Sequence, residues 1–219
     1  MEENTKRGHF KVSPFILEDW GLINYADAWE RQKSCVQSVI AGAPDHLIFC
    51  EHPPVLTLGR MTNPASLLYQ QKDIEARGVM ITGVDRGGDV TLHAPGQLIV
   101  YPIFNLNKRG KNLKVYMEKL EEVAVDLLKN FGILAISISG QRGVFVGKDK
   151  IISIGVGVRK WVTYHGLGIN VNTDLSLFDL IKPCGLNVRM TSMQKLKGHC
   201  LAMKDVKSET VKSFQKHFS

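Results

Sequence analysis

Four apolar, β-branched segments follow one another at residues 133–138, 143–146, 151–158 and 161–171, with only short polar breaks between them. Breaks that short leave no room for a crossover connection, so the segments must pair as antiparallel neighbours. The clearest break, the GKDK stretch of Gly147, Lys148, Asp149 and Lys150, is a natural hairpin turn. A long helix is expected just before them, over 112–130. Leu113, Tyr116, Leu120, Val123, Leu127 and Leu128 recur there at helical spacing, Asn112 is a good N-cap, and Gly132 lies just past the end.

The first half of the chain is more mixed. Residues 22–40 read as an amphipathic helix with Leu22, Ala26, Trp29, Val36 and Ile40 roughly on one face. HLIFC (46–50) and VLTLG (55–59) read as strands around the break at His52, Pro53 and Pro54, and 78–84 as another. Residues 98–104 read as a strand in which Pro102 suggests an edge or a bulge. Short helices fit 175–181, 192–196 and 206–218. With no repeat, low-complexity segment or linker, the pattern predicts one α+β domain over residues 1–219, with mixed and antiparallel sheets flanked by helices.

Composition removes several function classes. At 44% hydrophobic, 219 residues can build a sizeable core. The longest apolar stretch, 151–158, is far too short to cross a bilayer, and no apolar run follows the N-terminal charges, so neither a membrane span nor a signal peptide is expected. Cys35, Cys50, Cys184 and Cys200 show no C-x-x-C spacing, which fits reduced thiols in the cytoplasm. His46, Cys50 and His52 could share a strand face but lack a fourth ligand, so no metal is expected. The net charge of +7 is uneven: residues 182–219 hold eight basic against two acidic side chains, +6 of the total. Such a region can attract nucleic acid, an anionic membrane or an acidic protein, or can simply be a solvated helical face.

Two residues stand out chemically. Cys184 sits between Pro183, which fixes φ, and Gly185, which permits unusual conformations. A free cysteine is most often a buried small hydrophobe, yet this corner can hold a thiol at the mouth of a site. Lys150 opens an apolar strand, a costly place for an ammonium without a partner. A lone lysine there would snorkel to the rim; beside a thiol it would favour the thiolate nucleophile. Two glycine-bearing stretches complete the set. RGGDVTLHAPGQ (86–97) offers bare backbone at Gly87 and Gly88 and a proton-active His93, or else a pair of tight turns with a structural histidine. It matches neither nucleotide-binding glycine fingerprint. His165, Gly166, Leu167 and Gly168 again place small residues on a strand.

Taken in order, CEHPPVLTLGR, RGGDVTLHAPGQLIVYPI, GVFVGKDKIISIGVGVRKWVTYHGLGINVNTDL, FDLIKPCGL and MTSM resemble the successive motifs of the lipoyl(octanoyl) transferases, over residues 51–193. The resemblance implies the fold of the biotin and lipoate protein ligase catalytic domain. It implies transfer of an octanoyl group from acyl carrier protein to a lysine of lipoyl domains, those of 2-oxoacid dehydrogenases and the glycine cleavage H protein, as the first step of protein lipoylation. Cys184 would carry the acyl thioester and Lys150 would lower its pKa and act as general acid and base. The substrate would be bound by Arg86, Gly87, Gly88, Asp89, Val90, Thr91, Leu92 and His93, by Ser153, Ile154 and Gly155, and by Gly166, Leu167 and Gly168. No ATP, metal or other cofactor would be needed, no nucleic acid or membrane would be bound, and Cys35, Cys50 and Cys200 would be structural. Apolar residues of 151–158 could line an acyl tunnel. The family usually has an aromatic before the motif histidine and a glycine after it; Leu92 and Ala94 depart from this and leave the preferred acyl length open. The rival readings are an ATP-dependent lipoate or biotin ligase, an amidotransferase that takes octanoyl from another lipoyl-type protein, and a nucleic-acid-binding module. The last is disfavoured because only Phe214 and Phe218 accompany the basic residues after Lys182.

Overall fold

The computed structural model describes residues 14–182 and 188–218. Its first half alternates strands and helices: β1 (Ile16–Leu22), α1 (Tyr25–Ile40), β2 (His46–Glu51), β3 (Val55–Leu58), α2 (Gln71–Glu75), β4 (Met80–Gly83), β5 (Val90–His93) and β6 (Gln97–Ile103). Then α3 (Leu113–Asn130) leads into β7 (Ile136–Ile138), β8 (Gln141–Val146), β9 (Asp149–Arg159) and β10 (Val162–Asn170). A 3-10 turn (Leu175–Leu180), α4 (Met193–Lys197) and α5 (Met203–Phe218) follow.

Seven strands form one sheet in the order β1-β2-β6-β10-β9-β8-β7, and three form a second, β4-β3-β5. The run from β7 to β10 is the antiparallel ribbon that its short breaks require. Val146 pairs with Asp149 across Gly147, whose φ of +60° lies in the left-handed region that glycine adopts without strain. The two parallel pairs, β1–β2 and β3–β4, are each joined through a helix, α1 or α2, as a parallel connection must be.

Helices α3 and α5 cover one face of the large sheet. Leu120, Val123, Leu127, Phe214 and Phe218 meet Leu98, Ile152, Ile154, Leu167 and Ile169 there in the main core. Helix α1 lays Ala28, Val36 and Val39 against Ile48, Ile99 and Tyr101 on the other face. A third cluster, with Leu56, Ile74, Val90, Leu92 and Phe178, underlies the small sheet. The α+β architecture is as the sequence predicts.

Two local expectations need correction. Residues 16–22 form an edge strand, so the first helix begins at Tyr25 and Leu22 belongs to β1. Counting the helix from Leu22 sets the wrong phase: the buried face is Tyr25, Ala28, Gln32, Val36 and Val39, and of the expected set only Val36 belongs to it. Pro102 does not mark an edge, because β6 lies between β2 and β10. The β6–β10 ladder instead stops at Val100, paired with Leu167. Beyond it the Thr163 hydroxyl donates to Pro102 O (2.7 Å) and accepts from the Phe104 N–H (2.9 Å), so no ladder bond is asked of the proline. Opposite this break His165 adopts φ +56°, uncommon for a residue with a Cβ.

Candidate functional site

Lys150 is buried in full, with Nζ 5.7 Å from the Phe145 ring centroid. It does not snorkel. Gly143 makes the room: at φ +116°, an added Cβ would lie 2.6 Å from Lys150 Cε. The Lys150 backbone donates to Arg189 O (2.8 Å) and accepts from the Thr191 N–H (2.9 Å). Cys184 lies outside the described residues. The chain leading towards it is held at Lys182, whose N–H donates to Ser66 O (2.8 Å), and the chain beyond it is held at Arg189 by the bond to Lys150.

The structure brings the two glycine-bearing strand stretches into register and lays the 86–97 stretch against them. Gly155 pairs with Gly166, Ile154 with Leu167, and Ser153 with Gly168. Ile154 and Leu167 point into the main core, so Ser153, Gly155, Gly166 and Gly168 face the other way. There the Gly87 N–H donates to Val156 O (3.0 Å), and a Cβ on Gly155 would sit 3.2 Å from both Arg86 Cδ and Gly87 O. Buried Arg86 is tied down by Thr57: Nη2 donates to Thr57 O (2.6 Å) and Oγ1 (2.9 Å), Nε to Oγ1 (3.2 Å). Other members of the stretch build the loop itself. Asp89 accepts from the Asn63 N–H (3.1 Å), the Val90 N–H (2.7 Å) and the Ser66 hydroxyl. Gly88 O accepts from the Met61 N–H, Thr91 pairs with Thr57, and Val90 and Leu92 fill the third cluster. Ala94 is also buried. Of the apolar residues suggested as an acyl lining, Ile151, Ile152 and Ile154 pack into the main core.

Beside this face lies an aromatic and histidine network that the sequence reading largely missed. The His93 ring stacks on Tyr25 (6.1 Å, 6°) and meets His52 edge-on (5.8 Å); its Nδ1 lies 2.7 Å from Gln97 Oε1. His52 bonds Ile23 O (2.7 Å) and the Tyr101 hydroxyl (2.7 Å). His165 stacks on Trp29 (4.8 Å) and bonds Asp85 through Nε2 (3.0 Å), while the Tyr164 hydroxyl donates to the same carboxylate (2.8 Å). Burial pushes the pKa of all three histidines down; for His93, with His52 and Arg86 adding to it, the value is about 3. His93 is therefore a neutral ring rather than a proton donor and acceptor poised at neutrality. The bond from His165 holds Asp85 ionised, its pKa lowered to about 2. A sequence signal did exist: Asp85 adjoins Arg86, and His165 adjoins Gly166.

The metal question divides differently from the expected trio. His46 bonds Glu18 (2.6 Å), while Cys50 lies against His52 (3.7 Å) in a separate, buried neighbourhood. Among the described residues, Glu18, Cys35 and His46 bring ligand atoms within 4.8 Å of one another. A cation there would have to break the Glu18–His46 bond and displace the Cys35 proton, whose pKa burial and Glu18 push up. Cys50 is buried but Cys200 is exposed. A groove of about 570 Å³ between α3, β7 and α5 is lined by Glu118, Glu121, Glu122, Asp126 and His217, and contains none of the expected site residues. In the basic C-terminal region, Lys207 pairs with Asp19, Lys212 with Glu209 and Lys216 with Asp126. No helix among the described residues is long and apolar enough to cross a membrane.

Known proteins resemble this chain in sequence and in fold. Residues 24–215 match the family described as the lipoyl protein ligase A/B catalytic domain. The chain is 41% identical over 201 residues to the octanoyltransferase of Syntrophotalea carbinolica, covering 91% of this chain and 92% of that one. It is 42% identical over 201 residues to that of Caldicellulosiruptor saccharolyticus, covering 90% and 86%. Among solved structures, a lipoate-protein ligase A bound with ATP superposes with a TM-score of 0.75 at 17% identity, covering 93% of this chain and 85% of that one. The Aquifex aeolicus biotin protein ligase in complex with biotin and ATP gives 0.57 at 17%, covering 92% and 69%. At these identities the two structures speak for the fold.

Proposed function

The chain belongs to the lipoyl protein ligase A/B catalytic-domain family, and on that premise we propose that it passes an octanoyl group from acyl carrier protein to a lysine of a lipoyl domain through a thioester on Cys184. The observation that carries this reading is Lys150, a fully buried lysine hydrogen-bonded through its backbone to Arg189 and Thr191, a few residues beyond the Pro-Cys-Gly stretch. A buried ammonium has to be met by an anion or by hydrogen-bond acceptors, and a thiolate can serve as that anion.

In the first half-reaction the Cys184 thiolate attacks the donor's thioester carbonyl. The new C–S bond forms as the old one breaks, and the leaving thiolate of the carrier arm takes a proton from the Lys150 ammonium. In the second, the acceptor lysine attacks as a neutral amine, Cys184 leaves as thiolate, and the proton lost by the amine nitrogen goes to the now neutral Lys150. One thioester replaces another and an amide then replaces a thioester, so neither half needs ATP, and no metal enters the scheme. The Arg86–Gly87 segment over Gly155 is the surface against which the acyl donor would lie. On this reading the reaction takes place in the cytoplasm, and basic side chains after Lys182 help acidic partners to dock.

The test is the intact mass of the protein after mixing with octanoyl-acyl carrier protein without ATP. Wild type should gain one octanoyl group that hydroxylamine removes, and Cys184→Ser should gain none. An unmodified wild type alongside an intact donor, with ATP-dependent transfer from free octanoate, would replace this reading with ligase chemistry like that named for the fold neighbours.

A further inference from the structure

Hydrogen-bond direction fixes the proton on each histidine of the network, and one ring nitrogen is left over. His52 can only donate from Nδ1 to Ile23 O, so its Nε2 is an acceptor, and the Tyr101 hydroxyl uses it. His165 must donate from Nε2 to the Asp85 carboxylate, so its Nδ1 accepts and faces the Tyr25 hydroxyl at 3.4 Å. For His93 the chain of bonds starts two links away, at Asn170. Asn170 Nδ2 can only donate to Thr191 O (3.0 Å), which turns its Oδ1 towards Gln97. Gln97 Nε2 then donates to Asn170 Oδ1 (2.8 Å) and to Leu92 O (3.2 Å). This leaves Gln97 Oε1 facing His93 Nδ1, which must carry the ring proton. His93 Nε2 is therefore a bare lone pair, with no hydrogen-bond partner among the described residues. Tyr25 stacked on one face and His52 at an edge fix the direction in which it points.

We propose that His93 Nε2 accepts the amide N–H that follows the thioester in the pantetheine-type arm of the acyl donor. The inference rests on the acyl-transfer reading above and names what that site selects in its donor. Two N–H groups enter the reaction, the arm amide and the acceptor amine. The amine must lose a proton during transfer, and His93, flanked by His52, Arg86 and His165 and held far below neutrality, is too weak a base to keep one. The arm amide keeps its proton throughout, so a permanent acceptor suits it. The thioester carbonyl has only lone pairs and would be repelled. A donor with the right acyl chain but no amide would leave a desolvated lone pair facing an oxygen.

Two small donors separate these cases: S-octanoyl-N-acetylcysteamine, and its isosteric 2-mercaptoethyl acetate thioester, in which oxygen replaces the N–H. Wild type should prefer the amide donor by about tenfold or more in kcat/KM. In His93→Leu the ratio should fall to about one, with the loss borne by the amide donor. Nitrogen NMR of the imidazoles in the unmodified protein supplies a readout independent of turnover. His93 should show a protonated Nδ1 and an unprotonated Nε2 from about pH 8 to about pH 5. Equal rates on both donors in wild type, or a proton on Nε2, overturns the inference while leaving acyl transfer in place. No transfer from either donor, with octanoyl-acyl carrier protein also inert, overturns both.

Discussion

The two faces of the β9–β10 hairpin are built on opposite rules. One carries Ile152, Ile154, Leu167 and Ile169 into the main core, where volume is what matters. The other carries Ser153, Gly155, Gly166 and Gly168, and the missing side chains at Gly155 and Gly168 let the Arg86 loop and Gln97 come close. Period-two alternation places the two sets on alternate residues of the same two strands. A change on the first face should therefore be read in stability, and one on the second in turnover.

The largest effect is expected on the core face. Ile169→Ala empties a fully buried position and should cost about 2–5 kcal/mol in urea unfolding, with kcat of the folded protein unchanged. A cost below about 1 kcal/mol, or a large loss of kcat, would break the comparison. Acid should act on the other side, where the histidines stand. In the unfolded chain a histidine takes up its proton near pH 6.5, but His93 in the fold resists until about 3. The unfolded state thus binds more protons across that window, and stability falls as the pH drops from about 6.5 towards 3. From pH 7 to pH 5 His93 alone should account for about 2 kcal/mol. His52 and His165 shift in the same direction. Urea titrations at the two pH values should show a smaller loss in His93→Gln; an unchanged wild-type midpoint would contradict the assignment. The smallest effect sharpens the comparison most. In Gly155→Ala the new methyl meets Arg86, which Thr57 prevents from yielding. About a tenfold drop in kcat/KM is expected with little change in unfolding. Were stability to fall and turnover hold, this face would be packing like the other.

Where neighbours in sequence determine a structure, the sequence was legible. The ribbon from β7 to β10, the Gly147 turn and the Asn112 cap are local matters, and each lies where expected. Strand β1 escaped because its residues are mostly exposed and show no alternation to read. Pro102 misled because what spares it is Thr163, some sixty residues on. The same holds at the site. Arg86 and Gly155 announce themselves as motif residues, but that Gly155 is small for Arg86 is a fact of tertiary contact. Tyr25 lies outside the quoted motifs and Gln97 and Asn170 inside them without an assigned role, and the part of all three is set by bonds spanning up to 140 residues.

One arrangement at the edge of the site has a mechanical side. Lys182 is fastened to Ser66, which also donates its hydroxyl to Asp89 of the glycine loop beside the small sheet, whereas Arg189 is fastened to Lys150 of the large one. Residues 182 and 189 are thus held by different parts of the fold, one by the Ser66 turn and the glycine loop it bonds, the other by β9 of the large sheet. Whatever shifts the glycine loop beside the small sheet against the large sheet therefore also changes the distance between residues 182 and 189.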